Sequence, residues 1–360
     1  PLSASAPHSH HAIVDGCTKG TVRMLGHDRP YVPQRSIYDE RYLADGYDHR
    51  SAVRVLTAEK DALDEAVGRA LKSNPQARTI SIFDFGYGTG RVTNEFIEHF
   101  IALFGAWRKD LLVVAYDVSS GGLKKAQEAL CAKGFKNLGE FSWHPGCMAG
   151  YIAGSVSKAV SGVSITVRFV HASEDQPPEN MTQLALRAND GQGFLVTTSW
   201  YSGLGHVPGE ALRREYFRQL GELTVPSGEI VLSLSSTGDL VDEQREWVAR
   251  LAAGAVDDFP IEAFGDVVYR TELDQRNFYH VFGTELGDHM AAITGPGQYW
   301  WTEGIRCPDE EFASEAEEQA NYLRVRNANE AKRGRIWEAA DYREFHTVAA
   351  LRSPMDPMKR

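Results

Sequence analysis

Thr79-Ile80-Ser81-Ile82-Phe83-Asp84-Phe85-Gly86-Tyr87-Gly88-Thr89-Gly90 is the stretch from which the rest of the chain can be read. Five of its first seven residues, Thr79, Ile80, Ile82, Phe83 and Phe85, are β-branched or aromatic, the pattern of a short buried strand. A helix is predicted from Arg91 to about Phe104. Glycines between strand and helix allow a tight turn and let the backbone approach a ligand with no Cβ in the way. The spacing Gly86-x-Gly88-x-Gly90 is not the G-x-G-x-x-G of dinucleotide binders, because Arg91 stands where the third glycine would fall. A pyrophosphate ligand is therefore disfavoured.

Asp84 strengthens that exclusion. A carboxylate at the end of the strand would repel a diphosphate, whereas its oxygens can hold the ammonium of an amino-acid moiety. The next predicted strand, Leu111 to Tyr116, leads into Asp117, which is placed to accept two ribose hydroxyls. A third, Val163 to Val170, leads to Ser173 or Glu174, placed for the edge of an adenine. A cation with ribose and adenine describes S-adenosylmethionine.

The run D-x-G-x-G-x-G, with an acidic residue ending the second strand, resembles the class I S-adenosylmethionine-dependent methyltransferases. The resemblance covers about residues 36–285. It implies a doubly wound, Rossmann-like α/β sheet of seven strands, six parallel and one antiparallel, with helices on both faces. It also implies that Asp84, Gly86, Tyr87, Gly88, Thr89 and Gly90 hold the methionine part of the cofactor. Asp117 and Val118 would take the ribose side and Ser173 or Glu174 the adenine, while Thr198 and Ser199, opening the loop between donor and acceptor, would contact the cofactor. The separation of Gly88 from Asp117 exceeds the ~20 residues usual between such glycines and their acid. Phe141-Ser142-Trp143-His144 is similar to a segment of histamine N-methyltransferases.

Outward from this centre the pattern alternates. Val53, Leu56, Leu63, Val67 and Leu71 mark one face of a helix that ends before Asn74-Pro75. Ser120 to Ala132 reads as helix, and 135–160 as an irregular, Gly-rich insertion. Phe194 to Thr198 and Glu229 to Leu234 read as strands, and Gly209 to Leu220 and Glu243 to Ala252 as helices. Val267 to Leu273 and Asn277 to Gly283 form an expected hairpin, taken as the antiparallel edge of the sheet. The charged tail from Glu310 to Ala349 is predicted helical. Three regions follow: a mobile N-terminal arm, 1–35, containing His8, His10 and His11; a cofactor-binding domain, 36–285, whose helical segment 36–73 forms a lid; and a C-terminal helical extension, 286–360, shaping the acceptor pocket.

Methyl transfer is an in-line displacement, so positioning supplies much of the catalysis, and a protonated nucleophile needs a nearby base. His206, in the loop after the fourth strand, is the candidate base. His144 is a weaker one, while His171 and His280 read as core histidines. Tyr38, Tyr42, Trp200, Tyr201, Trp300, Trp301 and Glu303 are candidate acceptor contacts, since aromatic faces and a carboxylate suit a cationic or aromatic molecule. The loop lacks the Asn/Asp-Pro-Pro-Tyr run that the resemblance associates with amide or base methylation.

The 360 residues carry 38 Lys and Arg against 49 Asp and Glu, a net charge of −11, which disfavours a nucleic-acid partner. No apolar run approaches the ~20 residues that span a bilayer, and no basic-then-apolar signal opens the chain, so no membrane partner and a cytoplasmic location are expected. Cys17, Cys131, Cys147 and Cys307 have no metal or disulfide spacing. Asp175 and Asp239 form no recognisable metal pair, so no metal is expected. The reading is a methyltransferase acting on a small molecule, with a nitrogen nucleophile (amine or imidazole-like) preferred. The alternatives are O-methylation of a specialised metabolite, aminopropyl transfer, and a cofactor-binding scaffold without turnover. The terminal additions could form a homodimer.

Overall fold

The computed structural model describes residues 53–103, 108–144, 150–172, 179–200 and 203–235. It also describes the strand segments 266–270, 276–280, 300–305 and 346–352, and Phe282, His289 and Ile293. The expected arm 1–35 and the helix expected at 243–252 lie outside these residues.

In chain order the elements are α1 (Val53–Ser73), β1 (Thr79–Phe85), α2 (Arg91–Leu103), β2 (Asp110–Asp117), α3 (Ser120–Ala132), β3 (Lys136–Asn137), β4 (Tyr151–Val160) and β5 (Val163–His171). There follow α4 (Glu179–Ala188), β6 (Phe194–Ser199), a 3-10 turn (Gly203–His206), α5 (Glu210–Leu223), β7 (Thr224–Ser235), β8 (Asp266–Arg270), β9 (Arg276–His280), β10 (Trp300–Ile305) and β11 (His346–Arg352). Local chemistry sets several boundaries. α1 closes where the Asn74 side chain donates to the Ala70 carbonyl at 3.0 Å, ahead of a proline that disfavours further helix. α3 opens where the Ser119 hydroxyl accepts from Gly122 N–H at 2.9 Å, as an N-cap should.

One sheet of nine strands organises the molecule, in the order β10-β11-β7-β6-β1-β2-β5-β4-β3. Pairs β5–β2, β2–β1, β1–β6 and β6–β7 are parallel. β11 is antiparallel to both β7 and β10, so β10 shares the direction of the parallel set. The doubly wound, Rossmann-like class is therefore the observed one. Helices α1, α2 and α3 cover one face through Leu63, Phe96, Ile97 and Leu123. On the other, α4 and α5 bury Leu184, Phe217 and Leu220 against Phe83, Phe194 and Ile230. Each fully buried side chain of this size contributes about 1.5–3 kcal/mol.

Four expectations need correction. The hairpin expected as the antiparallel edge does not join the main sheet, because β8 and β9 pair with each other in a separate sheet; β11 and β4 are the strands that run against the parallel set. Residues 346–349, expected to be helical, lie in β11, and the described parts of 286–360 thus include two strands of the sheet. The insertion 135–160 is not irregular throughout, since β4 runs antiparallel to β5. Ser161 and Gly162, with φ of 50° and 89°, join those strands in a two-residue turn whose left-handed residues suit the twist of a hairpin. Lastly, the described part of the expected lid is a core helix. α1 packs on the sheet and buries Glu59 against Arg91 of α2 and Ser233 of β7. α4 is an addition to the sequence reading.

With a hydrogen-bonded neighbour on each side, β11 should exchange its amide protons as slowly as β7, measured by hydrogen exchange. Fast exchange over 346–352 would contradict this placement.

Candidate functional site

β1 has β2 on one side and β6 on the other, and the chain reverses its winding direction there. In an open α/β sheet, the crevice at the carboxyl ends of such strands is where ligands bind. A cleft opens at this point, lined by Asp84, the glycine turn, Asp117, Trp200 and His206.

The turn has the conformation its glycines permit. Gly86, Gly88 and Gly90 have φ of 75°, 55° and 77°, where a side chain is strained. A Cβ on Gly90 would lie 2.5 Å from Cε1 of Tyr87, whose hydroxyl donates to Asn94 Oδ1 at 2.7 Å. Gly86 N–H and Tyr87 N–H both donate to the Tyr116 carbonyl, at 2.9 and 3.1 Å. Asp117 completes the frame: one carboxylate oxygen accepts from Gly88 N–H and the other from Ser119 N–H, each at 2.7 Å. A carboxylate offers about four lone-pair directions, so one group can accept several hydrogen bonds at once.

Asp84 is buried. Its Oδ2 accepts from the Thr93 hydroxyl, and Trp200 Nε1–H donates to the Thr93 oxygen at 3.2 Å. Oδ1 has no hydrogen-bond partner among the described residues. Burial pushes the carboxyl up to about 7, against the hydrogen bond from Thr93 and the nearby Thr198 hydroxyl and with help from the charges of Asp117 and Glu59. A cation at Oδ1 would relieve this cost. The orphaned buried oxygen, the glycine cradle and the neighbouring Asp117 together fit S-adenosylmethionine.

His206 closes the 3-10 turn, half-buried at the cleft wall. Its Nδ1 is 3.0 Å from the Phe278 carbonyl. A carbonyl only accepts, so Nδ1 carries the proton and the neutral ring has its lone pair on Nε2.

The structure brings together in the cleft lining Asp84, Gly86, Tyr87, Gly88, Thr89, Asp117, Val118, Trp200 and His206. Thr198 and Ser199 instead lie fully buried in β6, in register with Asp84 and Phe85 beneath the cleft. Trp301 shares a register row with Ala350, Val231, Thr198 and Asp84. Four strand spacings of ~4.8 Å separate the backbone of β10, which carries Trp300, Trp301 and Glu303, from β1. His144 stands against Tyr151, which stacks on His171 beyond Asp117. Tyr38, Tyr42, Ser173, Glu174 and Tyr201 lie outside the described residues, as do Asp175 and Asp239.

Sequence reasoning missed Arg91, which lines the cleft and pairs with Glu59 at 3.0 Å, and Thr93. Their signal was position alone, on the first turn after the glycines. It also missed the wall from Val207, Leu212 and Tyr216, which the chain supplies after a turn. Among the described residues no group of three His, Cys, Asp or Glu could hold a metal, and no helix is long and apolar enough to cross a membrane.

The chain is similar in fold to solved S-adenosylmethionine-dependent methyltransferases. One from Methanosarcina mazei is 11% identical with a TM-score of 0.41, covering 78% of this chain and 94% of that one. One from Clostridium acetobutylicum is 10% identical with a TM-score of 0.41, covering 89% and 97%. The 1,6-didemethyltoxoflavin-N1-methyltransferase of Burkholderia thailandensis, solved with 1,6-didemethyltoxoflavin and S-adenosylhomocysteine, is 13% identical with a TM-score of 0.39, covering 93% and 100%. No protein-family model and no curated protein matches the chain.

Gly90→Ala should destabilise the protein by about 1–2 kcal/mol from the left-handed backbone alone, with the overlap on Tyr87 adding to it. Thermal unfolding measures this; an unchanged midpoint would mean that the turn relaxes freely.

Proposed function

We propose that this protein transfers a methyl group from S-adenosylmethionine to a small-molecule acceptor, with a nitrogen nucleophile, an amine or an imidazole, as the preferred class. The reading is carried by the unpartnered, buried Oδ1 of Asp84 beside a glycine turn that Asp117 clips in place. Asp84 would hold the donor's ammonium. Asp117, with Val118 beside it, would hold the ribose, and the turn from Gly86 to Gly90 would pass along the methionine chain. Ser173 or Glu174 is assigned to the adenine, and Tyr38, Tyr42 and Tyr201 to the acceptor, on sequence alone.

When bound, the cofactor supplies an electrophilic methyl on a sulfonium. The chain's own residues then have two tasks: to hold the acceptor in line and to remove its proton. Trp200 at the cleft wall contributes to the first, which is worth several kcal/mol when the geometry is good. His206 performs the second through Nε2, because a protonated amine has no lone pair with which to attack. The preference for nitrogen rests on the Phe141-Ser142-Trp143-His144 likeness. His206 would serve a hydroxyl equally, so a mass-spectrometric panel of amines, imidazoles and phenols separates the two.

Calorimetric titration with S-adenosylhomocysteine tests the cofactor. Asp117→Ala should weaken binding by roughly 1–3 kcal/mol, the cost of leaving polar partners unpaired. No binding by the unmodified protein would defeat the proposal.

Asp84 adds a pH dependence. Its carboxyl ionises near 7 in the folded protein, against an ordinary value of 3.8, so through that window the folded state keeps a proton that the unfolded state has lost. Ligand-free stability therefore falls as pH rises from about 4 to about 7 and levels above it. An ammonium at Oδ1 favours the ionised form, so affinity should increase as pH rises towards about 7, with proton release below it. Titration in buffers of different ionisation enthalpy reads that release, and Asp84→Asn should remove it.

His206→Ala should lower turnover on an identified acceptor while sparing cofactor affinity. Retained turnover would place the base elsewhere.

A further inference from the structure

A second cluster of buried charge lies behind the turn that carries His206. Arg213 of α5 is fully buried. One guanidinium nitrogen is 3.2 Å from Asp266 Oδ1 at the start of β8, and another donates to the Val207 carbonyl at 3.0 Å. Its central carbon lies 5.9 Å from the Phe278 ring centroid. The same Asp266 oxygen is 2.7 Å from His280 Nδ1, and Asp266 and His280 face each other across the β8–β9 pair, with Phe278 opposite Val268.

These contacts close a circuit. His206 is followed by Val207, whose carbonyl is held by Arg213. Arg213 is paired with Asp266, which anchors the hairpin, and the hairpin returns the Phe278 carbonyl to His206 Nδ1. A buried ion pair is a poor stabilising device, since taking both charges out of water costs as much as their attraction returns. Its value here lies in where it holds two backbone carbonyls.

We propose that Arg213 and Asp266 are positioning residues for His206, holding the turn and the β8–β9 hairpin so that Phe278 keeps the proton on Nδ1 and leaves Nε2 as the base. This rests on the reading of His206 as the proton acceptor. The guanidinium suits the task because one nitrogen donates to the Val207 carbonyl while another stands 3.2 Å from Asp266 as its ion-pair partner, two positions that one lysine ammonium does not fill at once. An imidazole without such a partner favours the opposite tautomer, with the proton on Nε2, so the circuit selects the less favoured and more useful form.

Nitrogen-15 histidine spectra of the full chain, on the alkaline side of histidine titration, report the tautomer directly, the His206 signals being assigned by their loss in His206→Gln. The unmodified protein should show His206 as Nδ1–H. Arg213→Lys and Asp266→Asn, each verified as folded by circular dichroism, should lose that signature towards Nε2–H while binding S-adenosylhomocysteine as before. Retention of the signature in either folded variant overturns the proposal. So does an Nε2–H His206 in the unmodified protein, which decides the matter even if neither variant folds. Titration of the same unmodified sample with S-adenosylhomocysteine tests the cofactor reading separately, because the tautomer is read without ligand.

Discussion

The carboxylate of Asp117 accepts one hydrogen bond from Gly88 and another from Ser119, and the cleft takes its shape from that clip. Gly88 belongs to the turn after β1 and Ser119 caps α3 after β2, so one side chain ties two strand-to-helix connections together. Without it, two buried N–H groups would lack an acceptor, at about 1–3 kcal/mol each. The parallel register of β1 and β2 makes this possible, because it brings Phe85 level with Tyr116 and leaves Asp117 one residue beyond. The residue assigned to the ribose is thus also part of the frame that would present it.

Asp84 shows the opposite economy. The fold places it one residue before the end of β1, buried beneath the turn, and supplies only the Thr93 and Thr198 hydroxyls against the cost of desolvation. Trp200 braces Thr93 from the loop after β6, so the hydroxyl that donates to Asp84 is itself held in place. The apolar layers on both faces of the sheet absorb this penalty. On the proposed function, the cation would meet a group whose ordering the fold has already accomplished.

His206 depends on longer-range structure than either aspartate. Its turn follows β6, its ring is held by a carbonyl of β9, and both are fastened to α5 through Arg213. Arg91, paired with Glu59, similarly joins the cleft wall to α1. The cleft is therefore built from contacts between segments distant in sequence, and its two halves differ in how far they were legible.

The half proposed to hold the cofactor was legible because its chemistry is local. A strand, a glycine turn and a helix lie within one stretch of chain, and Asp84 and Asp117 stand at strand ends that hydrophobic patterning locates. Two features went unread although their signals were present. Met181, Leu184, Ala185 and Ala188 have helical spacing in α4, and Ser161-Gly162 between apolar runs is a hairpin turn. Other features had no local signal. That β11, rather than the β8–β9 hairpin, enters the main sheet depends on which strand the open edge of β7 accepts. The same holds for the place of β10 at one end of the strand order and for the Arg213–Asp266 circuit, because each is set by tertiary pairing. By itself the sequence determined the doubly wound class, the glycine turn and the two carboxylates, since backbone sterics and residue periodicity act over a few neighbours. Only the tertiary structure decided which aromatic groups reach the cleft, what holds His206 and which strand closes the sheet, because those outcomes come from packing between segments whose order in space the sequence pattern does not encode.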